Sequence, residues 1–227
     1  YDQMTARLGG VWDSLLSEGR KWWVTAVSDS HGHYTDGWAD FWPGEYAKTY
    51  VYADKTYDSI FDNLKAGRVF AVTGDLIDAL FVEVAVKGSD RSAGMGETLT
   101  VTPQDELVLR VRFRDPDTLN AGGYNPQVAR VDAIIGQING PAVDRNSDET
   151  STTRVLQRFY QQDWRQQNGF SVFELPLGKV TADQYLRLRG TSQRDELEPQ
   201  PDEKGENPWS DLWFYSNPVF IQVSKVL

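Results

Sequence analysis

The chain has 227 residues, 40% of them hydrophobic and 12% aromatic, and contains no cysteine. That is enough apolar material for the core of one or two domains, while disulfides, thiolate metal sites and a Cys nucleophile are excluded. A formal net charge of −10 with scattered basic residues argues against a nucleic-acid partner, which needs clustered Lys and Arg; no apolar run reaches the roughly 18–20 residues that span a bilayer.

In chain order, residues 1–75 read as alternating helix and strand. Leu8, Trp12, Leu15 and Leu16 fall at helical spacing, with Gly19 placed as a C-terminal cap. The apolar run Trp22-Trp23-Val24-Thr25-Ala26-Val27 predicts a buried strand ending at Asp29. An aromatic loop (34–46) follows, in which Tyr34, Trp38, Phe41 and Trp42 read either as a pocket wall or as a plug. Thr49-Tyr50-Val51-Tyr52 predicts a second strand. Tyr57, Ile60, Phe61 and Leu64 mark one face of a helix closed by Gly67, and Val69–Val72 a third strand. All-apolar strands separated by amphipathic helices indicate parallel βα units.

From residue 76 the period changes to two. Leu80, Val82, Val84 and Val86 alternate with Phe81, Glu83, Ala85 and Lys87, and Leu107, Leu109, Val111 and Phe113 alternate with Glu106, Val108, Arg110 and Arg112. Shorter strands are expected at 97–102, 128–135, 153–160, 170–175, 184–189 and 212–223. This grammar predicts an antiparallel β-sandwich over 76–227. Arg110, Arg112, Arg187 and Arg189 are expected to be exposed and to balance neighbouring acids. Asp144-x-Asn146-x-Asp148 imitates the start of a calcium loop, but Glu149 stands where the glycine belongs and an EF-hand is rejected.

Both histidines lie in Asp29-Ser30-His31-Gly32-His33. A carboxylate and an imidazole two residues apart point the same way from a strand end, and these donors suit Zn, Mn or Fe. His33 reads either as a substrate-side residue or as a loop histidine in solvent. The histidines are committed to this one motif, so no Ser-His-Asp triad is available, and no phosphate-cradling Gly-rich loop appears.

The surrounding pattern is similar to a known one. Trp12-Asp13-Ser14-Leu15-Leu16-Ser17-Glu18-Gly19, Ser28-Asp29-Ser30-His31-Gly32, Pro43-Gly44, Lys48-Thr49-Tyr50-Val51-Tyr52, Gly67-Arg68 and Ala71-Val72-Thr73-Gly74 resemble the closing segment of the polymerase and histidinol phosphatase (PHP) superfamily, most closely its CehA/McbA-like branch. Asp211–Ile221 is similar to the last strand of the sandwich that often follows that barrel. The resemblance implies an α/β plus all-β fold. Terminal βα units of a distorted (β/α)7 barrel would occupy 1–75, and a β-sandwich 76–227. It also implies a di- or trinuclear Mn, Fe or Zn centre that hydrolyses phosphoester or related ester bonds of a small-molecule substrate. Asp29 and His31 would be metal ligands, and His33 and Lys48 substrate-binding residues. Lys48 stands where the family usually has Arg, so it would meet an anion as a point charge only, and it also reads as a surface residue.

The family's opening His-x-His motif and its later histidine ligands have no separate counterpart, since His31 and His33 are the only histidines in the sequence. The start at Tyr1 reads as that of a C-terminal fragment whose metal site is incomplete without the missing N-terminal part, and which is inactive alone. The competing expectation is a non-catalytic binding or scaffold module whose sandwich recognises a carbohydrate or a protein partner. The cellular compartment stays open.

Overall fold

A computed structural model of the chain describes residues 3–38, 40–200 and 207–224. Two short helices, α1 (Gln3–Ala6) and α2 (Val11–Ser17), come first, followed by a long irregular stretch. Strand β1 (Ala47–Val51), helix α3 (Tyr57–Lys65) and strand β2 (Val69–Thr73) follow. Apart from loops and a single 3-10 turn at Gln161–Asp163, the described remainder is strand: β3 (Ala79–Val86), β4 (Ser92–Gly94), β5 (Thr98–Val101), β6 (Glu106–Arg114) and β7 (Arg130–Gln137). Then come β8 (Arg154–Tyr160), β9 (Arg165–Gln167), β10 (Phe170–Lys179), β11 (Gln184–Thr191), β12 (Trp213–Ser216) and β13 (Val219–Val223).

The strands form two sheets. The larger runs β1-β2-β12-β11-β13-β5, with β7 on the other edge of β11 and β8 beyond it; the smaller runs β4-β3-β6-β10-β9. The period-two strands behave as their sequence demands. Leu80, Val82 and Val84 of β3 and Leu107, Leu109, Val111 and Phe113 of β6 are buried. They meet Phe70, Val72, Val131, Leu186, Leu188, Phe214 and Ile221 of the larger sheet in one core. The opposite face of the larger sheet is covered in part by α2, where Trp12 and Leu16 pack on Tyr185 and Phe220.

The barrel expectation is overturned. Strands account for 37% of the residues and helices for 11%, and among the described residues the strand–helix–strand succession β1–α3–β2 is not a parallel unit of a distorted (β/α)7 barrel. β1 and β2, expected to be parallel, pair antiparallel with Ala47 opposite Thr73 and Val51 opposite Val69. The helix between them covers neither sheet: Tyr57 and Phe61 are exposed, and the helix has no buried residue.

The physical reason lies in β2. Its pattern is apolar on both faces because one face enters the core while the other is covered, and coil can supply that cover as well as a helix does. Residues 47–73 and 184–223 also share a sheet, since Phe214, Tyr215 and Ser216 of β12 pair with Val72, Ala71 and Phe70. The expected boundary at residue 75 therefore falls in the turn between the two sheets, where Asp75 adopts φ 56°.

Candidate functional site

The run at 22–28 forms no strand; it is an extended segment laid beside the larger sheet. Side chains take the role of a neighbouring strand along one of its edges. Asn217 accepts from the Val24 N–H at 2.8 Å and donates to the Val24 carbonyl at 3.2 Å. The Thr49 hydroxyl accepts from the Ala26 N–H and donates to the Ala26 carbonyl, both at 2.8 Å. The Trp12 indole donates to the Trp22 carbonyl at 2.9 Å.

Backbone groups of alternate residues point to opposite edges of an extended chain. Those of Trp23, Thr25 and Val27 have no hydrogen-bond partner among the described residues. Val27 is 75% and Trp22 58% exposed, which is why a run that reads as a core strand is half bare. A cavity of about 370 Å³ lies between residues 24–28 and the outer face of β2 and β12, lined by Ala71, Thr73 and Trp213.

The segment ends at Asp29, an exposed residue with φ 44°, in the left-handed region. The chain turns there into a loop pinned by Gly32, where a Cβ would stand 2.6 Å from the Trp38 ring. The His31 N–H donates to Asp40 Oδ2 at 2.9 Å, and its ring Nδ1 lies 3.5 Å from the same oxygen. The imidazole is otherwise open, with 70% of the side chain exposed. Asp29 and His31 thus occupy the surface at the end of the half-bare segment.

His33 is placed differently. Its Nε2 lies 2.7 Å from Glu45 Oε2 and its Nδ1 2.6 Å from the Thr35 hydroxyl. The Thr35 N–H also points at Nδ1, which assigns Nε2–H as the donor to Glu45. The ring stacks on Trp42 at 5.7 Å with an interplanar angle of 11°. Lys48 is ion-paired with Asp75. A substrate role for His33 or Lys48 therefore requires release of these partners.

Among the described residues no three or more His, Asp or Glu side chains come together as a metal site. The residues described here do not by themselves fit a di- or trinuclear centre. Comparison with family models, curated proteins and solved structures finds no match.

Sequence reasoning missed a buried ionic layer. Arg187 and Arg189 were expected at the surface and are fully buried. Arg187 makes a bidentate pair with Asp13, both contacts at 2.7 Å. Asp132 lies 3.0 Å from both Arg130 and Arg189, and Arg189 reaches Glu198 at 2.7 Å. The signal was faint: Leu186 and Leu188 fill the core side of β11, so period two assigns the arginines to the other face. Its being covered is invisible locally, because Asp13 is 174 residues away.

Proposed function

We propose that this chain contributes part of a metal-dependent hydrolase acting on phosphoester or related ester bonds. Asp29 and His31 supply two of its metal ligands. The remaining donors come from polypeptide outside the described residues. The observation that carries this reading is the half-paired segment itself. The stretch that presents Asp29 and His31 is bonded along one edge and bare along the other, and an exposed edge of this kind is an acceptor for a further strand. A backbone edge without a partner and a donor set too small for a metal centre meet at the same place in the fold. One further piece of chain lying along Trp23, Thr25 and Val27 completes both. The chemistry of the pair suits the assignment, since carboxylate and imidazole together favour Mn, Fe or Zn. Asp40, which already holds the His31 backbone and faces its ring, orients the imidazole.

The test is metal content and hydrolysis of bis(4-nitrophenyl) phosphate and 4-nitrophenyl acetate by the full-length protein, with Asp29→Ala and His31→Ala compared against wild type. The reading expects each variant to lose metal affinity and turnover by at least about tenfold, with thermal unfolding unchanged for His31→Ala, whose side chain is exposed, and lowered only slightly for Asp29→Ala, whose left-handed backbone disfavours alanine by about 1 kcal/mol. Unaltered metal content and turnover in both variants would overturn it and leave the non-catalytic binding module as the account.

A further inference from the structure

The outward face of the smaller sheet carries a groove of about 720 Å³, unconnected with the histidine loop. Its floor is built in cross-strand rows, because directly opposite residues on neighbouring strands share a face. In one row Glu83, Arg110 and Glu174 stand opposite one another. Arg110 lies 3.3 Å from Glu83 and 3.5 Å from Glu174, so this row is neutralised within itself. In the next row Phe81, Arg112, Val172 and Arg165 follow across four strands. Neither Arg112 nor Arg165 has a carboxylate partner among the described residues, although acidic residues outnumber basic ones 33 to 23 in this chain. At the rim Arg68 is paired with Glu97 at 2.9 Å. The groove thus combines arginines that are compensated with a pair that is not.

Arg112 is already organised for a ligand. The Arg112 guanidinium carbon lies 3.9 Å from the Phe81 ring centroid and 5.4 Å from that of Phe170. Stacking on aromatic rings holds the guanidinium plane and leaves its N–H edges unspent. Arg165 stands two strands away, roughly 10 Å at the backbone, with the apolar Val172 directly between. Two arginine side chains are long enough to meet across that span, and the volume matches the usual range for small-molecule sites.

The geometry points to a binding site for a small planar organic anion. Its carboxylate or phosphate is gripped by Arg112 and Arg165, and its flat body lies over Val172 and against Phe170 and Tyr52. This inference is independent of the hydrolase reading and survives its failure.

The test is titration calorimetry of the intact protein with 2-naphthoate, 2-naphthyl phosphate, uncharged 2-naphthol and inorganic phosphate. The wild type is expected to bind both naphthyl anions, and to bind 2-naphthol at least about tenfold more weakly. Arg112→Gln and Arg165→Gln should each weaken the anions by about tenfold or more. Arg112→Lys, which keeps the charge and loses the planar fork, should fall in between. Arg91→Gln, an arginine outside the groove paired with Asp105, should change nothing. Thermal unfolding of the two Gln variants separates lost binding from lost folding, since both side chains are exposed. Absence of binding by the wild type, equal binding by the double Gln variant, or inorganic phosphate binding as well as the naphthyl anions would overturn the proposal.

Discussion

Asp13 and Arg187 are both inaccessible to solvent and joined by two hydrogen bonds of 2.7 Å. Such a pair is costly to break from one side, because the survivor keeps its charge without a partner. Asp13 also accepts from the Gly9 N–H at 2.8 Å and from the Tyr185 hydroxyl at 3.1 Å. Asp13→Ala is therefore expected to lower stability by about 3–5 kcal/mol in urea unfolding. The double variant Asp13→Leu/Arg187→Met should recover much of that loss; a double variant as unstable as the sum of the singles would contradict the argument. Asp115 belongs to the same scale. Burial pushes its carboxyl from the ordinary 3.8 up to about 6, although the Val128 N–H donates to it. A raised carboxylate pKa means that the native state holds the proton more tightly than the unfolded chain. Its favourable contribution is present at low pH and is lost as pH rises from about 4 through about 6. Asp115→Asn should abolish that decline and raise stability at neutral pH, as read from thermal unfolding across this window; an unchanged pH profile would count against it. Neither residue's role was legible in the sequence. Nothing local to Asp13 or Asp115 announces its burial, because what decides each is a neighbour distant along the chain.

The element that departs most from its sequence is the segment Trp22–Ser28. Six apolar or β-branched residues in succession carry every local mark of a buried strand. Among the described residues its backbone is bonded through Trp12, Asn217 and Thr49, along one edge. Asn217 is fully buried and spends its amide on Val24 and on the Val69 carbonyl at 3.2 Å. Asn217→Ala should cost about 2 kcal/mol and speed amide hydrogen exchange across 22–28, with little effect on β3 and β6. Unchanged exchange of the Val24 amide in this variant would contradict the bonding scheme. Elsewhere the elements followed their patterns. Helices formed at Val11–Ser17 and Tyr57–Lys65 and strands at Ala47–Val51, Val69–Thr73, Ala79–Val86 and Glu106–Arg114. The expected strand at 212–223 is split at Asn217–Pro218, and its halves pair with successive parts of β11. The short strands β4 and β9 had no signal, since three residues hold too little alternation to be seen.

At the scale of the molecule, strand positions were more legible than their partners. Alternation reports that one face of a strand is wet; it does not report which strand lies beside it or in which direction. β1 and β2 read as parallel because β2 is apolar on both faces, yet coil and turn can cover a face as a helix would. The resemblance to the PHP superfamily was read from residues 1–75 and 211–221; over the first of these β1 and β2 pair antiparallel and the barrel does not form. What remains is the pairing of a backbone edge without hydrogen-bond partners among the described residues with an exposed aspartate and histidine at its end. The most direct measurement is anomalous diffraction at the manganese edge from crystals of the full-length protein grown with Mn²⁺. The account predicts a peak within about 2.2 Å of both the Asp29 carboxylate and a His31 ring nitrogen, beside a strand hydrogen-bonded along Trp23, Thr25 and Val27. Density that places the two side chains apart, with manganese elsewhere or absent, would contradict it.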